Sequence, residues 1–223
     1  DAATRLLDRG SKAIDISEKY NLTPLTNALM FNRPRITKLL IDRGVNRRGK
    51  TDLFIAAALG DTDELKRLLD EDSSLIDQAD EEFAATPLEA AVSWNRREAA
   101  ELLLSRGAGK RRMSELYVAA SLGKADEVAA IVSGGCTDID QPSTSMFRAT
   151  ALWVACHNGH TDVISLLLSS GSQAINTPCS AGQTPLQAVM YRSMLDRTLG
   201  PTVQLLLANG ARDSADTSGA AVS

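Results

Sequence analysis

Apolar residues along this 223-residue chain return in paired short bursts separated by polar turns. The first burst of each pair opens with one six-residue pattern. It reads TPLTNA from Thr23, TDLFIA from Thr51, TPLEAA from Thr86, SELYVA from Ser114, TALWVA from Thr150 and TPLQAV from Thr184. The intervals from Thr23 to Thr51 and from Thr86 to Ser114 are the short ones, and the other three are longer. In the segment from Thr150, the threonine stands where a turn ends and a helix begins, so its hydroxyl is placed to cap orphan backbone N–H groups. Pro24, Pro87 and Pro185 follow the opener in sister segments, where the first helical N–H lacks a partner in any case. Leu152 and Ala155 are predicted to point inward, and Asn158-Gly159 to end the helix. Thr161-Asp162 then opens a second helix, with its acid at the positive end. Val163, Ile164, Leu166, Leu167 and Leu168 supply the apolar face, and Gly171 closes it. The second burst recurs as Leu39-Leu40, Leu68-Leu69, Leu102-Leu103-Leu104 and Leu205-Leu206-Leu207. No such pair buries its apolar face alone, so neighbours must stack.

A T-P-L-x-x-A opening with a period near 33 resembles the ankyrin repeat. The resemblance covers about residues 1–213. It implies an all-α solenoid of about six to seven helix-turn-helix units, with twelve or thirteen helices. A partial first repeat takes residues 1–16, and residues 214–223, small and polar without period, read as a disordered tail. The chain departs from the family in one respect. The stretch from closing glycine to next opener is only about half as long at Gly44–Thr51 and Gly107–Ser114 as at Gly10–Thr23 and Gly171–Thr184. The turn between units is therefore trimmed before Thr51 and Ser114. Ile76-Asp77-Gln78 recurs as Ile139-Asp140-Gln141, and Asn32-Arg33 as Asn95-Arg96, both at the same offset of two units. A two-repeat module has been duplicated. The last unit carries an insertion within Met194–Pro201. Neither end shows a clearly polar capping helix, and the expectation is that the natural chain continues or that a partner covers an end.

Composition narrows the function. Hydrophobic residues make up 43% and aromatics 4%, so the core is built of Ala and Leu. A net charge of −4 is too mild for an overall nucleic-acid or membrane binder. No run approaches the ~18 apolar residues of a membrane span. Cys136, Cys156 and Cys179 make an odd set without metal-type spacing, which favours a reducing, cytoplasmic setting, with a secreted effector as the alternative. No signal peptide is visible.

In the family that the chain resembles, partners meet the concave face of turn tips and the open side of the first helix. Carried over, those positions lie one to four residues before each opener and seven to eight after it. Six of the nine aromatics fall there: Tyr20, Phe31, Phe83, Trp94, Phe147 and Tyr191. Two readings stand side by side. The rings are interface anchors, or the trimmed turns let them pack on neighbouring repeats as core. Arg48, Lys50, Arg111, Met113 and His157 complete the candidate partner-binding set. Arg47-Arg48-Lys50 and Lys110-Arg111-Arg112 form two basic turns with Asp80-Glu81-Glu82 between them in the chain. They are solvated turn charges, or they recognise an acidic partner. His160 follows Asn158-Gly159, where the family has a structural His bonded to a neighbouring turn. Cys156 replaces a core Ala and should point inward, which removes it from a metal site with His157 and His160. No catalytic constellation, metal site or cofactor loop is present in the sequence. The expected function is a non-enzymatic scaffold that binds a protein or peptide, acidic with apolar anchors, and neither nucleic acid nor membrane. The alternative is a regulatory or targeting region of a larger, enzymatic protein.

Overall fold

The computed structural model describes residues 23–30, 33–193 and 197–213. The partial first repeat at 1–16, the tail at 214–223, and Tyr20 and Phe31 lie outside them. The described residues are all-helical, with twelve α-helices and no strand. They are α1 Pro24–Met30, α2 Pro34–Asp42, α3 Asp52–Leu59, α4 Thr62–Glu71, α5 Pro87–Ser93, α6 Arg97–Ser105, α7 Glu115–Ser121, α8 Ala125–Ser133, α9 Ala151–Asn158, α10 Thr161–Ser169, α11 Pro185–Ser193 and α12 Gly200–Ala208.

Each opener caps its helix. Thr51 Oγ1 accepts from Phe54 N at 3.1 Å, Ser114 Oγ from Tyr117 N at 3.1 Å, and Thr150 Oγ1 from Trp153 N at 3.2 Å. Thr86 and Glu89 close a reciprocal capping box, each side chain accepting from the other's backbone N–H at 3.2 Å. These first helices are buried on nearly all sides. Every residue of α5 is buried, as are Leu53 through Ala58 of α3. Small Ala side chains on both allow the close approach this requires. The second helices are buried on one stripe only. In α4 Leu65 and Leu69 face inward, while Arg67 on the open face pairs with Glu64 and Glu71, each at 2.6 Å.

The chain divides into two compact units, residues 1–109 and 110–223. In the first unit α1 packs on α2 and α3, α3 on α4 and α5, and α4 on α6. In the second unit α9 sits between α7 and α11, with α8 beside α10 and α11 beside α12.

A helix that stops leaves unpaired carbonyls, and the following repeat satisfies them. Arg96 Nε donates to Ala58 O at 2.8 Å, and its Nη2 to Leu29 O at 3.3 Å, so one guanidinium fastens two earlier helix ends. In the second unit Asn158 Nδ2 donates to Ser121 O at 2.9 Å, and His160 Nε2 lies 2.9 Å from the same oxygen. His160 is thus tied to the end of a neighbouring first helix. Gly159, at φ 80°, gives the left-handed stop between them. After α5 that conformation falls to Asn95, at φ 55°.

Candidate protein-interaction face

The turns between helix pairs form the edge of each unit. Short turns close in four residues, with Lys50 N donating to Arg47 O at 3.1 Å and Met113 N to Lys110 O at 3.0 Å. Long hairpins close through Asp80 N to Ala85 O, Ser143 N to Ala149 O and Cys179 N to Gln183 O, all at 2.9 Å. Successive turns then join. Glu81 N donates to Arg48 O at 2.8 Å in the first unit. In the second, Thr144 N donates to Arg112 O at 3.1 Å and Ser180 N to Phe147 O at 2.9 Å. The tips are tight enough to force positive φ on Arg48 (48°), Ala84 (51°), Arg111 (46°) and Arg148 (44°). Gly49 at φ 73° lies where a Cβ would come within 2.5 Å of Glu81 Cγ.

In the first unit the charges of two turns neutralise one another. Lys50 is buried, and its Nζ lies 2.6 Å from Glu82 Oε2 and 3.3 Å from Asp80 Oδ1. Asp80 also accepts from the backbone N–H groups of Glu82 at 2.9 Å, Phe83 at 3.1 Å and Ala85 at 3.0 Å. Thr26 Oγ1 donates to Glu82. Burial pushes the Glu82 carboxyl up, but the bonds from Lys50 and Thr26 outweigh it and hold the group below the usual range. Arg48 is half-buried, 3.7 Å from Glu82. Phe83 is half-buried with the Lys50 ammonium 5.9 Å from its ring centre.

This geometry corrects three sequence expectations. Lys50, Met113 and Trp94 are not surface residues: they are 3%, 5% and 4% exposed. The residue just before an opener points into the core, as Ala85 and Ala149 also do. Eight residues after the opener, Leu122 and Asn158 are buried like Trp94, whereas Leu59 and Arg192 are half-buried. Trp94 meets Phe54 edge-on, with ring centres 6.3 Å apart. The basic turn at Lys50 and the acidic run at Asp80-Glu82 face each other rather than flanking a groove.

The second unit holds charged tips and part of its aromatic set at the surface, with Tyr117 and Trp153 buried. Arg111 and Arg148 are exposed on their tips. Lys110 pairs with Glu115 at 2.9 Å on the open side. Behind the second tip, the His157 ring stacks on Trp153, with centres 5.0 Å apart and planes 11° from parallel. Phe147 leans on both, 5.4 Å from each. Trp153 is buried and donates its Nε1 to Gln183 O at 2.7 Å, which fixes the platform. Phe147 and His157 are half-buried, and Tyr191, one helix further, is 50% exposed. Burial, and then the charge of Arg192, push His157 down to about 4. The ring is neutral at pH 7.

Trp153 was not among the sequence candidates. Its signal was its place as the fourth residue of an opener, where it lies behind the hairpin that carries Gln183. Cys156 is buried, and burial pushes its thiol up. Among the described residues no three His, Cys, Asp or Glu side chains gather as a metal site would require, and no helix is long and apolar enough to cross a membrane.

Residues 116–217 match the family model for ankyrin repeats in three copies. Over those residues the chain is similar to the ankyrin repeat family. The crystal structure of EF0377, an ankyrin repeat protein, is 28% identical, over 76% of this chain and 85% of that one, with a TM-score of 0.43. Ankyrin repeats generally mediate protein–protein interaction, and the helix pairs act as a frame that holds turns and first helices in register. The second unit presents Arg111, Arg148 and Tyr191 at the surface with Phe147 and His157 half-buried behind them, while the first has turned Lys50 and Trp94 inward.

Proposed function

We propose that this ankyrin repeat chain is a non-enzymatic binding module. Its second unit holds an acidic protein segment against the concave face of turns and first helices. The observation that supports this most directly is a separation of charge. Residues 110–223 contain eight Lys and Arg against nine Asp and Glu, near balance. Yet five of the eight cations (Lys110, Arg111, Arg112, Arg148 and Arg192) lie on turn tips or at first-helix ends, against one of the nine acids, Glu115. The face is therefore basic on a unit that is not. Charge of one sign along such an edge steers an oppositely charged partner. The stacked Phe147, Trp153 and His157 rings and the open Tyr191 offer it an apolar anchor. A reducing compartment fits the free buried thiols of Cys156 and Cys179.

The test is selection of acidic peptides against the whole chain, followed by affinity measurement. Arg111→Glu with Arg148→Glu should abolish the selected binding, and affinity should fall as salt rises. Tyr191→Ala should cost about 2 kcal/mol of affinity, as truncated aromatic anchors do, with the melting temperature unchanged. Selected peptides indifferent to both changes would overturn the reading.

A further inference from the structure

The capping hydroxyls of the openers differ in one respect. Thr86, Thr150 and Thr184 follow long hairpins and are buried, at 0%, 1% and 9% exposure. Thr51 and Ser114 follow short turns that leave the cap uncovered. Thr51 is half-buried and Ser114 is exposed. Ser114 alone of the two has arginine both three and two residues before it, Arg111 and Arg112. At Thr51 the corresponding residues are Arg48 and Gly49. Ser114 itself is extended, at φ −71° and ψ 161°. Its Oγ accepts from Tyr117 N, and its own O–H has no acceptor among the described residues. An exposed hydroxyl two and three residues beyond paired arginines matches the charge pattern that a kinase with acidic substrate pockets selects.

We propose that Ser114 is a phosphorylation site for an arginine-directed kinase, and that the phosphate weakens the hold of an acidic partner on the adjoining turn. In the transfer, Ser114 Oγ attacks the γ-phosphorus of a nucleoside triphosphate. The bond from that phosphorus to the bridging oxygen breaks, and its electron pair leaves on the nucleoside diphosphate. The hydroxyl proton passes to the carboxylate base of the kinase. To present Arg111 and Arg112 the turn must open, which breaks the Met113 N to Lys110 O and Thr144 N to Arg112 O bonds, the exposed Lys110–Glu115 pair and the contacts of the Arg112 side chain itself. Of these, the exposed pair resists least. The product carries about −1.5 to −2 charges at pH 7, beside Lys110, Arg111 and Arg112. The phosphate therefore lowers the positive charge of the tip. This second half of the proposal rests on the acidic-partner reading above.

The whole folded chain is treated with a purified arginine-directed kinase and magnesium ATP. Fragmentation mass spectrometry should place a phosphate on Ser114. It should be absent in Ser114→Asn, whose side chain still caps the helix. Arg111→Ala with Arg112→Ala should slow its incorporation at least ten-fold. No phosphate on Ser114, or incorporation indifferent to the two arginines, overturns the site. Binding of a fluorescent polyglutamate peptide then tests regulation. The phosphorylated chain and Ser114→Asp should each bind at least five-fold more weakly than Ser114→Asn, and equal binding overturns the regulatory half. If the unmodified chain does not bind polyglutamate, the acidic-partner reading falls and regulation with it, while the mass-spectrometric result still decides the site.

Discussion

Trp94 shows how far a single ring can be misread from its register. It is enclosed at 4% exposure, with its edge set against Phe54. Trp94→Ala should therefore lower stability by about 3–5 kcal/mol, as truncation of buried large aromatics does. Urea denaturation checks this, and a loss below ~1 kcal/mol, the size of an ordinary substitution, would show that the ring contributes little to the core. His157 makes a second residue-scale prediction. Its folded-state pKa of about 4 lies below the ordinary 6.5. Between those values the unfolded chain binds the extra proton and the native chain does not. Stability should be at its full value above pH 6.5 and fall as the pH drops towards 4. The size is about 2 kcal/mol once the ring's partial exposure is allowed for. His157→Gln should flatten that part of the stability–pH curve, and an unchanged slope would assign the acid sensitivity to other groups.

Helices were legible in the sequence because their signals are local. A capping hydroxyl, a proline behind it and a stop residue all act within one turn of the chain, so Thr51, Thr86, Ser114 and Thr150 mark helix starts unaided. What a side chain faces is not local. The residue before an opener looks polar and turn-like at Lys50, yet the packing of the next repeat draws it inside. Its counter-ions, Asp80 and Glu82, come from the next turn. The same limit hid Trp153, whose indole N–H finds its acceptor on the following hairpin, at Gln183. Sequence register thus located the edge of each element, while the split between edge and interior required the neighbouring element.

Across the whole chain the duplicated module solves one packing problem twice. Lys50, Asp80 and Glu82 have counterparts at the same places in the second copy, in Met113, Ser143 and Ser145. There the buried ions are replaced by a thioether, 5% exposed, and by two hydroxyls 2.8 Å apart. Lys50→Met alone strands two buried carboxylates and should cost about 3–5 kcal/mol. Adding Asp80→Ser and Glu82→Ser should restore most of that loss, measured by equilibrium unfolding; a triple variant no better than the single one would show that the two solutions are not interchangeable. The consequence is historical. If the shared two-unit offset reflects a duplication, one copy crossed from charged to neutral or the other crossed back. Every path that changes one residue at a time passes through a chain with an orphan charge in its interior.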